Sequence, residues 1–263
     1  MCEILAISSR HKLSCNPYLR EFFQDSPQHP HGWGMAWQLE DGVWFDKEPL
    51  PAYCSDYLNY LLEQPIRSEW LIAHIRNATR GVVTYDNCHP FHGNETDGGR
   101  LWVFAHNGTI LADELIREFS AVQHGSTDSE RVLFYLIRQL DDACGRADAP
   151  LGFEERFALL ADALARLAPG NKVNVAFQDG DCVYVHTNTI QPTLYQRQRE
   201  GVVQFCTVPL PSWEGWEEVP RGQLFAWRDG ELVAQSAPHG QLFDNEEYLR
   251  RIASEAAIPA LDL

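Results

Sequence analysis

The sequence predicts an α+β fold built mainly from antiparallel strands. Three Asp-Gly dipeptides separate alternating apolar runs, which is the pattern of β-hairpins. Amphipathic helical segments also occur, but they stand in blocks between the strands and not in strict βαβ alternation. Blocks of helices and strands are typical of layered α+β folds, whereas strict alternation is typical of doubly wound parallel sheets.

The strands are predicted from the hairpin signals and from alternation. Asp-Gly supplies the positive φ that a two-residue hairpin turn requires, and the three dipeptides begin at Asp41, Asp179 and Asp229. Alternation before the second dipeptide predicts one shared face for Val173, Val175 and Phe177. Further strands are expected at 2–8, 69–75, 101–106 and 202–208.

Three helices of the first half are predicted from local signals. Asn16 is the expected N-cap of the first, with Pro17 at the first helical position. Ser55 is the expected N-cap of the second, which continues to about residue 64. A third helix is expected over about 112–120.

Two longer helices follow. Thr127 is a candidate N-cap, and Glu130 three residues later predicts a capping box. The last helix is expected over 153–167, where Pro169-Gly170 ends it. Each has an apolar stripe at helical spacing: Leu133, Leu136, Ile137 and Leu140 in one, and Phe153, Phe157, Leu160, Leu164 and Leu167 in the other.

Charge and cysteine content exclude several classes of protein. The 263 residues include 37 acidic and 21 basic side chains, a net charge of −16 that would repel nucleic acid and anionic membranes. Seven cysteines without a C-x-x-C pair argue against a disulfide framework or a zinc ribbon. The absence of a long apolar run argues against a membrane span. We therefore expect a cytoplasmic protein with a single domain over residues 1–263.

Polar residues at strand ends are the first candidates for a site. Arg76 follows an apolar strand, where its planar guanidinium could bind a carboxylate or form a structural ion pair. Asn107-Gly108 follows another strand and reads either as a turn or as two donors of an oxyanion hole. Asp128 opens the strongest helix, where it could favour the helix dipole or bind an ammonium group.

Three other features leave their interpretation open. The segment HGWG at 31–34 could be a turn beside a core tryptophan or could line a site. His89 and His92 resemble a short metal spacing, but no convincing third ligand accompanies them, so no metal site is expected. Cys2 could be a small buried apolar residue or, once Met1 is removed, a nucleophile that carries its own amine.

Taken together, these segments resemble the class II glutamine amidotransferases, which belong to the N-terminal nucleophile hydrolases. The resemblance covers roughly residues 2–140 and is closest to the stand-alone members, which include the γ-glutamyl hydrolase of ergothioneine biosynthesis. It implies a four-layer αββα sandwich of two antiparallel sheets. The segments that carry it are Cys2, HGWG, AHIRNATRG, NCHPF, FAHNG and GSTDSE, in this order.

The resemblance also implies roles for individual residues. Cys2 would be the nucleophile, and Asn107 and Gly108 would form the oxyanion hole. Arg76 would bind the α-carboxylate of the substrate and Asp128 its α-ammonium group. Two positions, Thr79 and His89, would line the glutamine pocket. Asn77 departs from the pattern, since relatives with synthase domains carry an aromatic residue there that helps to cover bound glutamine.

The activity implied is hydrolysis of the glutamine γ-amide through a γ-glutamyl thioester, without a metal or an organic cofactor. Because the chain ends at residue 263, we expect any ammonia-accepting synthase to be a separate protein or to be absent. Two alternatives stay open at this point. The substrate could be a larger γ-glutamyl amide, or the chain could be a non-catalytic subunit that binds glutamine.

Overall fold

The computed structural model describes residues 2–78, 81–96, 99–147 and 150–256, of which 251–256 are described by their backbone alone. Strands and helices are numbered separately along the chain. The strands are β1 (Glu3–Ser14), β2 (Trp33–Leu39), β3 (Gly42–Glu48), β4 (Arg67–Ile75), β5 (Phe91–Asn94), β6 (Leu101–His106), β7 (Val175–Gln178), β8 (Val183–Thr187), β9 (Tyr195–Arg199), β10 (Val202–Cys206), β11 (Glu217–Glu218), β12 (Gln223–Arg228) and β13 (Glu231–Gln235). The helices are α1 (Asn16–Phe22), α2 (Asp56–Glu63), α3 (Asp128–Ala147), α4 (Phe153–Leu167) and α5 (Asn245–Ala256).

The strands form two antiparallel sheets that pack face to face. The first sheet has the order β11-β9-β10-β1-β4-β2-β3, and the second has the order β13-β12-β8-β7-β6-β5. An apolar cluster fills the space between them and includes Ile4, Ile72, Val103, Ala176 and Phe205. Successive side chains of a strand point to opposite faces, so alternate residues of each sheet enter this interior.

A helical layer covers the outer face of each sheet. Leu19 of α1 and Leu58 of α2 share one cluster with Leu5 of the first sheet. Leu136 of α3 and Leu160 of α4 share another with residues of the second sheet, Phe177 among them. The predicted α+β class and the four-layer sandwich implied by the resemblance are therefore confirmed.

All three Asp-Gly dipeptides lie in hairpins, but only one forms the predicted two-residue turn. Asp229-Gly230 joins β12 to β13 with both residues at positive φ. In the first hairpin Gly42 pairs with Leu39, so the turn lies one residue earlier than predicted. In the second, Gln178 pairs with Val183, because the buried Asp179 carboxylate accepts bonds from the N–H groups of the loop.

The helix predictions were partly wrong at their N-termini. Ser55 caps α2 as expected, accepting from the Leu58 N–H at 2.9 Å. Asn16 does not cap α1, because its side chain bonds the segment after α2, accepting from the Ile66 N–H at 2.8 Å. The Glu130 carboxylate does not close a capping box on Thr127, since it accepts from the N–H groups of His124 and Gly125.

The helix predicted over 112–120 was also wrong, since the structure has only a short 3-10 helix at Arg117–Ala121. Other predictions held. The segment Phe153–Leu167 is helical, and the predicted strand at 101–106 matches β6. Across the described ranges, none of the helices combines the length and the apolar character that crossing a membrane would need.

Candidate active site

Cys2 and Arg76 lie at the same end of the first sheet. Cys2 precedes β1 and Arg76 follows β4, and these strands are paired with Glu3 opposite Ile75. Ile4 and Ile72 point into the interior between the sheets. Alternation along each strand therefore directs the side chains of Cys2 and Arg76 to that same interior face.

The Cys2 thiol is half-buried beside the Asn77 backbone. Its Sγ lies 3.3 Å from the Asn77 N–H, which donates to it, and 3.5 Å from the Asn77 carbonyl oxygen. Burial raises the pKa of the Cys2 thiol, against the opposing effects of the Asn77 backbone and of the nearby Arg76 and Lys172 charges. The thiol is thus protonated near neutrality and needs a base before it can act as a nucleophile.

Arg76 is almost completely buried and held by two neighbouring segments. Its guanidinium Nη1 donates to the Val82 carbonyl oxygen at 3.0 Å. Its backbone N–H donates to the Gly32 carbonyl at 2.8 Å, which brings the HGWG segment beside it. Gly34 in that segment has no room for a side chain, because a Cβ there would overlap the His89 carbonyl oxygen.

Asn107 and Gly108 follow β6 on the second sheet. The Asn107 N–H donates to the Asn174 carbonyl at 2.9 Å, and Thr109 exchanges two backbone bonds of 3.1 Å with Lys172. A Cβ on Gly108 would overlap the Lys172 carbonyl oxygen, so only glycine permits this close approach. The two candidate oxyanion donors therefore sit on a backbone fixed from both sides.

Asp128 begins α3 and ties this helix to the same segment. Its Oδ2 accepts from the Ile110 N–H at 2.8 Å, and the side chain is buried. The His74 ring lies close to the backbone of His106, directly before Asn107, although neither ring nitrogen has a hydrogen-bond partner among the described residues. The end of the first sheet that holds Cys2 and Arg76 thus faces the end of the second that holds Asn107.

The ring of His89 stacks on the ring of His74. Their ring centroids are 4.1 Å apart, and both rings are buried. Burial lowers the pKa of His89 well below its usual value and lowers the pKa of His74 to about 3, so both rings are neutral near pH 7. Neither ring nitrogen of His89 has a hydrogen-bond partner among the described residues. Thr79, the remaining predicted site residue, lies outside the described residues.

Known proteins resemble this chain in sequence and in fold. A family model described as "Glutamine amidotransferases class-II" matches residues 1–200. The chain belongs to this family. Over 258 residues the amidotransferase is 26% identical to "Putative glutamine amidotransferase YafJ" of Escherichia coli, with 89% of this chain and 100% of that protein covered.

Solved structures share the fold of this amidotransferase. A predicted glutamine amidotransferase from Pseudomonas aeruginosa has a TM-score of 0.63 at 24% identity, covering 89% of this chain and 100% of that chain. The glutamine phosphoribosylpyrophosphate amidotransferase from B. subtilis has a TM-score of 0.64 at 15% identity, covering 89% of this chain and 49% of that chain. These similarities show that the chain shares the fold of these structures.

Lys172, whose side chain is buried, was not among the site residues predicted from the sequence. Its effect on the Cys2 thiol shows that it lies near the candidate nucleophile. A signal was present in the sequence. Val173, Val175 and Phe177 were predicted to share one face of a strand. Lys172 and Asn174 lie on the other face of that strand, where a strand packed on both sides would have apolar residues.

Proposed function

We propose that this amidotransferase hydrolyses the γ-amide of glutamine in the cytoplasm, with Cys2 as the nucleophile and without a cofactor. The observation that supports the proposal is that Cys2 and Arg76 enter the interior from one end of the first sheet, where His74 lies close to the His106 backbone that precedes Asn107 and Gly108 on the second sheet. In this assignment the Asn107 amide and the Gly108 N–H stabilise the oxyanion. Removal of one such donor typically lowers kcat by about 10²–10³-fold.

The remaining residues bind the amino-acid part of the substrate. Arg76 takes the α-carboxylate, because its planar guanidinium matches two oxygens. Asp128 takes the α-ammonium group, while Thr79 and His89 line the pocket. The Asn77 side chain donates to the Gln28 carbonyl at 3.2 Å, so this position fastens two loops where relatives with synthase domains carry an aromatic residue.

The chemistry begins with removal of Met1, which gives Cys2 a free α-amine. An unperturbed α-amine has a pKa of about 7.7–8.0 and can accept the thiol proton near neutrality. The sulfur then bonds to the γ-carbonyl carbon, and the oxyanion enters the donor pair. When the C–N bond breaks, the α-amine returns its proton and ammonia leaves. Water adds to the resulting thioester, the C–S bond breaks, and glutamate and the thiol are released.

Ammonia release from glutamine by protein of verified mass tests the proposal. We expect turnover in processed wild type, none in Cys2→Ala, and unchanged turnover in Cys54→Ala, which removes an exposed cysteine as a matched control. A glutamine-like electrophile should alkylate Cys2. Hydrolysis of glutamine no faster than in Cys2→Ala would refute the proposal, and full activity with Met1 retained would refute the role of the α-amine.

The same assay separates the alternative functions. Cys2-dependent cleavage of larger γ-glutamyl amides, without cleavage of glutamine, would assign a γ-glutamyl hydrolase. Glutamine binding without turnover in processed protein would assign a non-catalytic subunit. Adding candidate acceptor enzymes to the assay would reveal transfer of ammonia to an acceptor.

A further inference from the structure

Lys172 is buried at the candidate active site. The chain has three lysines, at positions 12, 47 and 172, and Lys172 is only 2% exposed. Lysine is almost never fully buried unless it is paired, because removing an ammonium group from water is costly. Lys172 therefore brings a positive charge into the interior, where it acts on the Cys2 thiol.

The backbone fixes where the Lys172 side chain goes. The backbone N–H and carbonyl groups of Lys172 both form hydrogen bonds with the backbone of Thr109. The Lys172 carbonyl oxygen also lies 3.1 Å from His106 Nε2. Val173 and Val175 point outward into the cluster under α3 and α4. Alternation therefore directs Lys172 into the interior between the sheets, at the end where Cys2 enters from the opposite sheet.

The substrate would use the other charges of this interior. In the proposed complex the α-carboxylate of glutamine neutralises Arg76, and its α-ammonium group neutralises Asp128. The neighbouring histidines are neutral near pH 7, as shown above for His74 and His89. Among the described residues, the charged and titratable groups near this end of the interior are the thiol and α-amine of Cys2, together with His74, Arg76, Cys88, His89, His106 and Asp128.

We propose that the Lys172 ammonium group is the buried counter-charge of the Cys2 thiolate. It acts beside the α-ammonium group that forms when the α-amine takes the thiol proton, and it continues to stabilise the sulfur anion after the substrate has neutralised Arg76. The inference rests on the proposed function, because it assigns Lys172 to the same nucleophile.

The effects that Lys172 and Cys2 have on each other's pKa agree with this geometry. Burial lowers the pKa of Lys172 to about 8, while the Cys2 thiolate opposes that lowering. Lys172 in turn opposes the increase that burial causes in the pKa of Cys2. A lysine pKa of about 8 leaves the group mostly protonated at neutral pH, as a counter-charge must be.

The test measures the ionisation of Cys2 without substrate. The rate of Cys2 alkylation by iodoacetamide is followed against pH, with Cys2 quantified by peptide mass spectrometry to separate it from the other cysteines. A nearby positive charge favours the ionised form of a thiol, so Lys172→Met should move the midpoint upward by about one pH unit. At neutral pH its alkylation rate should fall about tenfold.

Two further variants make the test specific. Lys172→Arg keeps the positive charge and should restore the wild-type midpoint, and Lys12→Met, at an exposed lysine, should leave it unchanged. If Lys172→Met does not fold, the comparison is made between Lys172→Gln and Lys172→Arg. An unchanged midpoint in the neutral variant would overturn the proposal, as would a shift that arginine fails to restore.

Failure of this proposal can be distinguished from failure of the proposed function. Alkylation reports the thiol alone, whereas ammonia release reports glutamine turnover. A Lys172-dependent midpoint in a protein that does not hydrolyse glutamine would support the counter-charge and refute the glutaminase. Glutamine turnover in a protein whose alkylation midpoint does not depend on Lys172 would support the proposed function and refute the counter-charge.

Discussion

Glu3 should make the protein less stable as pH rises. Its side chain is 9% exposed, with Oε1 3.6 Å from His29 Nε2, and it points away from the face that Cys2 uses. Its Oε2 has no hydrogen-bond partner among the described residues. Burial, followed by the charge of Asp25, raises the pKa of Glu3 from 4.5 to about 7.

The sign and size of the effect follow from linkage. Below about pH 4.5 Glu3 is protonated in both the folded and the unfolded state, and its ionisation leaves stability unchanged. Above about pH 7 it is ionised in both states, and only the folded protein bears the penalty of a buried carboxylate. One pKa unit corresponds to about 1.4 kcal/mol, so the free energy of unfolding falls by about 3 kcal/mol across this interval.

Glu3→Gln removes the charge and keeps the shape of the side chain. The difference in unfolding free energy between variant and wild type should therefore rise by about 3 kcal/mol between pH 4.5 and pH 8. Urea denaturation at a series of pH values measures it, and the slope with urea shows whether the unfolded states stay comparable. Glu63→Gln, at an exposed glutamate of α2, is the control. A constant difference between Glu3→Gln and wild type would refute the reasoning.

Two further predictions concern the site and the core. Gly108→Ala should lower ammonia release from glutamine by at least about 10²-fold, because its Cβ would overlap the Lys172 carbonyl and displace the oxyanion donors, whereas Gly152→Ala, where the new Cβ has room, should leave it unchanged. Asp179→Ala should lower the unfolding free energy by about 3–5 kcal/mol in urea denaturation, because it leaves the buried Arg156 guanidinium without that carboxylate. Asp181→Ala, which removes the half-exposed second partner of Arg156, should cost much less.

Local pattern was enough for the fold class, but not for the interactions of single side chains. Alternation and Asp-Gly dipeptides report the backbone directly, so the three hairpins were predicted in the correct segments, although only the turn at Asp229-Gly230 has the predicted position and length. A capping signal reports only that a side chain can accept a nearby N–H. The side chains of Asn16 and Glu130 instead accept hydrogen bonds from other segments, namely from the Ile66 N–H and the Gly125 N–H, which the tertiary structure places beside them.

The candidate site shows the same limit. Cys2, Arg76 and Asn107 stand in recognisable motifs, so their positions could be predicted before the fold was known. Lys172 has no motif. Its relation to Cys2 depends on the pairing of residues 109 and 172 and on the packing of one sheet over the other, which no local window of sequence contains.

The register of β1 connects the chemistry to the stability. Cys2 faces the interior between the sheets and Glu3 the helical layer, because neighbouring residues of a strand point to opposite faces. A slip of one residue would exchange them and would place a carboxylate among the oxyanion donors. The apolar residues that follow prevent this slip, since Ile4 and Leu5 belong to different apolar clusters and fit opposite faces. The same alternation that buries the core thus directs Cys2, the proposed nucleophile, into the interior, and it places Glu3 where ionisation destabilises the folded state.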